Sequence, residues 1–378
     1  MLIILQKDLH TLNDGSTEFL EKLGDVITSN RLGNHLVLGD TKTIRALRTF
    51  DIGKPAKEEL QKIENISRDV LSTIRTKIDK CISIASYKGN SCKLLEEIHA
   101  DQLIDFALED FTTYNFNNSI TLLAEDLRDC DVFNFFCQSY IKFIELEKIA
   151  KVSNRCINGG GNSTGRSFDI CKNTKQPVIC IKDGDIKEPP SENTSNETET
   201  EEHQNDIYSY LFQYHKLKIH EIENAIPLHI LQKALSARHP VFFNFIQTRH
   251  NFNKENILSY IDFKDGIRKE NMRKRSISYQ NIIKEILIQN NFATEEQFTC
   301  LEQDCRKNIN PNQQVCPNCS IIAGSGKHTL EKCLTVMKNE GVGNLYTELR
   351  ETVQSSLTPL LKKIISLSLA AKPSATVY

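Results

Sequence analysis

The stretch Val178-Ile179-Cys180-Ile181-Lys182-Asp183-Gly184-Asp185, VICIKDGD, is a short apolar strand that runs straight into two aspartates split by a glycine. In extended chain, residues two apart project to the same side, so Asp183 and Asp185 would present two carboxylates together. Gly184, with no side chain, lets another atom or a metal approach the backbone closely. Such a pair suits a divalent cation; the plain alternative is a strand followed by an Asp-Gly-Asp turn.

The surrounding pattern extends this reading. Ser119 to Ala124, SITLLA, reads as a buried strand after the turn-like NFNN at Asn115 to Asn118, and Asp131 to Ile149 reads as a helix. A strand near Lys151 to Ile157 leads into Gly159-Gly160-Gly161, a helix opens over Asn162 to Ile170, and VICIKDGD follows. Strand, helix, strand, helix, strand predicts a parallel sheet with helices on its faces, whose ligands bind at the carboxyl ends of the strands. Upstream, LIIL, Ser16 to Thr28, His35 to Asp40 and Thr41 to Phe50 alternate strand and helix, and the three-and-four spacing from Ala56 to Phe111 predicts long helices.

Downstream, Lys187 to Asp206 is polar and acidic and reads as a mobile loop. Tyr210 to Ile219 reads as extended, followed by HEIENAIP and helices to about Asn290. The expected organisation is an α/β class chain with an N-terminal α/β-helical extension over residues 1–115. A parallel-sheet domain flanked by helices follows over 116–290, then a small cysteine module over 291–325 and C-terminal helices over 326–378. The apolar Leu357 to Ala371 contains Lys362 and Lys363, is too short for a bilayer and reads as an amphipathic helix.

Composition narrows the class. The 378 residues carry 47 basic and 49 acidic side chains, a formal net charge of -2, so any nucleic-acid surface must be a local patch. MLIILQ at Met1 to Gln6 meets Lys7 and Asp8 at once, which does not resemble a signal peptide. Of twelve cysteines, seven are scattered through the first two-thirds without framework spacing, which fits a reduced, cytoplasmic protein with no membrane partner.

The SITLLA strand ends in LLAEDLRDCDVF. Glu125 sits at its carboxyl end, Asp126 follows, and Asp129 lies four residues on, where a first helical turn would point it back beside Glu125. Asp126, Asp129 and Asp131 are equally the residues expected to cap and charge a helix start. A third acidic group, Glu221-Ile222-Glu223-Asn224, follows a later extended segment.

In this order, Glu125 with Asp129 resembles the Glu-x-x-x-Asp of a Toprim domain, and Asp183-Gly184-Asp185 resembles its DxD. GGGNS at Gly159 to Ser163 resembles the intervening glycine turn, and IENAIP at Ile222 to Pro227 is similar to the E-N segment of OLD-like Toprim nucleases, many of them anti-phage effectors. The resemblance covers roughly residues 117 to 275 and departs at Asp126, where the commoner pattern has Gly. It implies divalent-metal-dependent hydrolysis of phosphodiester bonds in DNA or RNA, with Mg2+ or Mn2+ held by Glu125, Asp126, Asp183 and Asp185. Glu125 would be a ligand or general base, with Asp129 and Glu223 completing or orienting the shell. Lys182 and Lys264 are candidates for stabilising developing phosphate charge, and exposed lysines are their ordinary alternative. The basic run Arg268 to Arg275 would grip a phosphate backbone or form a solvated helix face.

Cys300-x4-Cys305-x10-Cys316-x2-Cys319 matches the tetrahedral thiolate cage of a structural zinc ribbon, closed to catalysis. Gly324-Ser325-Gly326-Lys327 lacks Walker spacing and reads as a turn before a helix at Thr329, so any ATPase working with this chain would be a separate polypeptide. His220, His229 and His239 read as core or surface histidines, and Cys130, Cys137, Cys156, Cys171 and Cys180 as small buried hydrophobes. A non-catalytic nucleic-acid-binding scaffold is the competing reading, and the sequence leaves a homo-oligomer open.

Overall fold

The computed structural model describes residues 1–11, 16–85, 103–189, 207–248, 251–252, 255–299 and 320–372. Two compact units are formed. The first comprises Met1–Lys182, Thr198–His215 and Thr358–Tyr378, and the second comprises Asp183–Glu197 and Lys216–Leu357.

The first unit opens with β1 Leu2–Leu5, α1 Asp8–Thr11, α2 Thr17–Arg31, β2 Leu36–Gly39, α3 Thr41–Leu47, α4 Lys54–Lys77, β3 Cys81–Ala85 and β4 Leu103–Ala107. Helix starts are set locally. The Ser16 hydroxyl accepts the Phe19 N–H at α2, and the Asp40 carboxylate accepts the N–H groups of Lys42 and Thr43 at α3. The four strands form one parallel sheet in the order β2-β1-β3-β4, with β1, β2 and β3 buried along their whole length.

A second sheet follows in the same unit. It is built from α5 Asp110–Thr113, β5 Ile120–Ala124, α6 Leu127–Phe143, β6 Ala150–Val152, β7 Asn154–Asn158, α7 Thr164–Asn173, β8 Val178–Lys182, α8 Ile207–Leu211 and β9 Phe212–Lys216. Its order is β7-β5-β8-β9. β5 runs parallel to both neighbours, with Ala124 opposite Asn158 on β7 and opposite Ile181 on β8. Glu125, just after β5, and Lys182, the last residue of β8, therefore lie at the same end of the sheet. The fold is α/β, with parallel sheets flanked by helices.

The second unit contains α9 Leu228–Leu235, α10 Pro240–Gln247, the strand pair β10 Asn251–Phe252 and β11 Glu255–Asn256, and β12 Gly266–Arg268. Then come α11 Lys269–Met272, α12 Ile277–Gln289, α13 Glu296–Thr299, β13 Ser320–Ala323 and α14 Thr329–Glu340. β12 and β13 pair antiparallel. Helix α15 Glu351–Ser368 begins in this unit, and its residues from Thr358 onward belong to the first, where β14 Leu369–Ala371 pairs antiparallel with β6. Among the described residues no helix is long and apolar enough to cross a membrane.

Several sequence expectations are corrected. The stretch from Ala56 to Phe111 is not helical throughout, because α4 ends at Lys77 and two buried strands follow. CISIA and LIDFA are short apolar runs whose spacing fits either period, and pairing decides for strand, CISIA with β1 and LIDFA with CISIA. The single strand expected near Lys151 to Ile157 is two strands with different partners, and the extended segment from Tyr210 starts as the last turn of α8. The amphipathic Leu357 to Ala371 is the end of α15 followed by a strand.

Gly184 is buried, and its requirement has a different origin from the one expected. A Cβ there would lie 2.0 Å from the Ile219 carbonyl oxygen and 2.3 Å from that of Leu217, so it is the protein's own backbone that comes close. Asp185 then takes a left-handed φ of 51°, so the two aspartates do not share an extended chain. Gly184→Ala should cost the second unit about 2 kcal/mol or more through overpacking against immovable carbonyls. Gly165→Ala on α7 meets nothing within 4 Å and should be neutral or gain up to about 1 kcal/mol. Urea unfolding of both variants checks this; equal effects would mean that the Leu217–Ile219 segment yields.

Candidate metal centre

The HEIENAIP segment contains one 3-10 turn over Ile222–Ala225, held by several hydrogen bonds. The Asn224 side chain accepts the Glu221 N–H at 2.8 Å and donates to the carbonyls of Leu258 at 2.6 Å and Ile261 at 2.8 Å. Arg350, half-buried, donates to the Asn224 carbonyl. The His220 N–H donates to the Ser259 carbonyl at 2.8 Å, and the His220 carbonyl accepts the Asp185 N–H at 2.9 Å. The Asp183 carboxylate accepts the Ile222 N–H at 3.1 Å. Thus Asp183, the 220–224 turn and the 258–265 segment are tied into one rigid frame within the second unit.

Inside that frame charged side chains crowd together. Lys264 Nζ donates to Glu221 Oε1 at 3.1 Å and lies 3.4 Å from Glu223 Oε1. His220 Nε2 lies 3.9 Å from Asp262 Oδ2, and one ligand atom from each of His220, Glu221 and Asp262 fits within 4.8 Å of the others. Glu223 is 2% exposed and His220 4%. Three buried polar atoms here, Glu221 Oε2, Glu223 Oε2 and His220 Nδ1, have no hydrogen-bond partner among the described residues. An unsatisfied buried carboxylate oxygen is costly, and two of them beside an imidazole are what a cation would satisfy.

The electrostatics agree. Burial first, then the neighbouring Glu223 and Asp262, push the Glu221 carboxyl from its ordinary 4.5 up to about 7, against the pull of Lys264 and His220. Burial disfavours the Lys264 ammonium, but Glu223, Glu221 and Asp183 outweigh it and raise Lys264 well above the usual lysine range. At Asp262 burial likewise opposes ionisation. The facing His220 and the N–H groups of Asp265 and Lys264 prevail and hold it below the ordinary carboxylate value.

The residues expected from sequence are distributed unevenly. Asp183, Glu223 and Lys264 come together in the second unit, and Asp185 is exposed. Glu125 belongs to the first unit, and its carbonyl accepts the N–H groups of Gly160 and Gly161 from the glycine turn. Asp126 and Asp129 form a capping box at the start of α6. Asp126 accepts the Arg128 N–H at 2.8 Å and its guanidinium at 2.8 and 2.9 Å, while Asp129 accepts the Asp126 N–H at 2.9 Å. These contacts are the capping alternative realised. In the basic run, Lys269 is buried, Arg268 pairs with Asp265 at 3.1 Å and Lys274 with Glu270 at 3.6 Å, so it is not an open row of cations. Gly324 to Lys327 is a turn pinned by Ser325, which bonds the Phe263 carbonyl and Thr329. Cys300, Cys305, Cys316 and Cys319, and residues 190–206 of the acidic loop, lie outside the described residues.

Sequence reasoning read His220 as a core or surface histidine, placed Glu221 in the third acidic group without a role of its own, and did not single out Asp262. A histidine directly before Glu-x-Glu, and an aspartate two before Lys264 in YIDFKDG, were the available signals.

A divalent cation fits this donor set, because carboxylate oxygens suit Mg2+ and Mn2+ and an imidazole favours Mn2+ over Mg2+. With Mn2+ at a hundredfold excess over its Kd, the folded protein should gain about 2.7 kcal/mol by mass action. A rise in melting temperature that disappears in Glu221→Gln/Glu223→Gln is the expected observation. Without cation the pH dependence has a definite sign. The raised carboxyl of Glu221 keeps its proton in the folded state, so its contribution is complete below the ordinary 4.5 and is lost as pH rises through about 7. Glu221→Gln should therefore flatten the fall in melting temperature between about pH 4 and pH 8, which bracket that interval. An unchanged slope would remove Glu221 from the crowded cluster. Asp126→Asn should keep α6 intact, whereas Asp126→Ala should cost about 1 kcal/mol as a lost cap.

Comparison with protein-family models, with curated proteins and with solved structures finds no match for this chain.

Proposed function

We propose that this chain is a divalent-metal-dependent nuclease of the Toprim, OLD-like kind, cleaving phosphodiester bonds of DNA or RNA. The observation that carries the reading is the buried Glu223 and His220 with the half-buried Glu221 and Asp262, an unsatisfied oxygen on each glutamate and the Lys264 ammonium among them. A purely structural ion pair would leave no acceptors open in a site this closed.

His220, Glu221 and Asp262 would hold the cation, with Glu223 and Asp183 as further carboxylates of the same frame. A cation held there would supply Lewis-acid polarisation and charge neutralisation to a phosphodiester. Lys264, one-third exposed, supplies a fixed positive charge for the oxygens of a bound phosphodiester, and its carboxylate partners keep it protonated at every working pH. Asn224 and Arg350 hold the turn that bears both glutamates, which keeps their carboxylates from drifting apart. Glu125 enters through the motif resemblance as a further ligand or base, and zinc at the four downstream cysteines as a structural cofactor. Activation by a separate ATPase in antiviral defence belongs to the same reading.

The test is incubation of purified protein with supercoiled plasmid, linear duplex, single strands and tRNA, with Mg2+ or Mn2+ or EDTA. Cleavage should require the cation, and Glu223→Gln and Lys264→Met should each lower it about a hundredfold or more while remaining folded. Cation-dependent binding of nucleic acid without cleavage, unchanged by Glu223→Gln, would instead support a scaffold.

A further inference from the structure

Two cysteines of the first unit are placed unlike the others. Cys137 and Cys180 are sealed in the core, where burial pushes their thiols up, Cys180 to about 12. Cys156 is half-buried on β7, the end strand of the sheet β7-β5-β8-β9. Its sulfur sits among polar partners. Asn134, one turn along α6 from Cys130, donates its amide to Cys156 Sγ at 3.3 Å, and its oxygen accepts the Asn154 amide at 2.7 Å. The Cys156 thiol donates to the Asn154 oxygen at 3.5 Å. The fully buried Cys130 lies over the joint between β5 and β7, its thiol donating to the Leu122 carbonyl at 3.4 Å and to that of Ile157 at 3.9 Å; Leu122 is the residue opposite Cys156 across the ladder, and Ile157 is the one after it.

We propose that Cys156 and Cys130 form an oxidation site at which a hydroperoxide closes a disulfide between β7 and the first turns of α6. The proposal goes beyond the nuclease reading and does not depend on it. The two thiols have distinct parts. Cys156 is reachable from solvent and its sulfur receives the Asn134 amide; the neighbouring Cys130 thiol and that amide hold it below the ordinary thiol value, against burial and the Asp131 charge. Cys130, raised by the neighbouring Cys156 and by burial, waits as a neutral thiol on the Leu122 carbonyl.

The Cys156 thiolate attacks a peroxide oxygen, the O–O bond breaks, and the other oxygen leaves as water after taking a proton, giving the sulfenic acid. The Cys130 thiol then attacks that sulfur, the S–S bond forms, and the sulfenic oxygen leaves as a second water. Two thiols and hydrogen peroxide yield one disulfide and two waters; the thiols lose two electrons and the peroxide gains them. Burial of Cys130 within hydrogen-bond reach makes this step faster than overoxidation of Cys156.

The test uses the full chain treated with dilute hydrogen peroxide and mapped by trypsin without reduction. Cleavage after Arg128, Lys142, Arg155 and Arg166 puts Cys130 on the peptide 129–142 and Cys156 on the peptide 156–166. A linked pair of these peptides, lost on reduction, is expected. Because Cys137 shares the first peptide, the link should persist in Cys137→Ala and vanish in Cys130→Ala. In Cys130→Ala, dimedone should trap the sulfenic acid at Cys156. Before oxidation, iodoacetamide at neutral pH should label Cys156 about tenfold or more faster than Cys130, Cys137 or Cys180. Direct conversion of wild-type Cys156 to sulfinic acid with no linked peptide, or labelling of all four at one rate, would overturn the proposal. These readouts involve no nucleic acid, so failure of the nuclease reading leaves them interpretable.

Discussion

Carboxylates gathered around the Lys264 ammonium, in a place where water reaches little of them, are the constraint to which the second unit is built. Glu221 and Glu223 sit two apart on one 3-10 turn, both reach the same lysine, and each keeps an oxygen that nothing in the described protein satisfies. Desolvation and mutual repulsion would drive such groups apart or neutralise them, and the rise of Glu221 to about 7 is that pressure made visible. The arrangement persists because the backbone beneath it cannot relax. Asn224 fastens the turn at three points and Arg350 at a fourth, while Gly184 lets the strand-end segment lie against the carbonyls that precede His220.

The parallel architecture was legible because buried strands and helices alternate with different hydrophobic periods. SITLLA and VICIKD are strands side by side, and the glycine run does turn the chain back onto the Ala124 and Glu125 carbonyls. What escaped is where local pattern is ambiguous and tertiary pairing decides. CISIA could extend the periodicity of α4, and only the parallel partner β1 makes it a strand. At the site, the motif order pointed to Asp183, Glu223 and Lys264, which do meet. That His220 and Asp262 meet was not legible for a physical reason: their proximity is created by the Ser259 carbonyl receiving the His220 N–H, a contact between segments about forty residues apart.

Acidic residues near one another in sequence thus divide by a simple physical criterion, whether their oxygens are already occupied. Asp126 and Asp129 are as clustered as Glu221 and Glu223, yet they receive backbone N–H groups and a guanidinium at the start of α6, so the helix end consumes their capacity. Glu221 and Glu223 have no helix N-terminus of comparable length to satisfy. The distinction is energetic, since a capping carboxylate stabilises the free protein and an orphaned one destabilises it until something binds.

The same criterion separates the thiols. Cys137 and Cys180 are surrounded by apolar side chains and strand backbone, and for them the sulfur is a small hydrophobe. Half-buried Asn134 and Asn154 surround the Cys156 sulfur instead: the Asn134 amide donates to it, the Asn134 oxygen accepts the Asn154 amide, and the Asn154 oxygen accepts the Cys156 thiol. The Asn134 donor is what would stabilise a negative sulfur once the thiol proton is lost. A polar device at the end strand of a sheet, backed by a second thiol beneath the surface, is consistent with chemistry at Cys156 and gains nothing from packing alone.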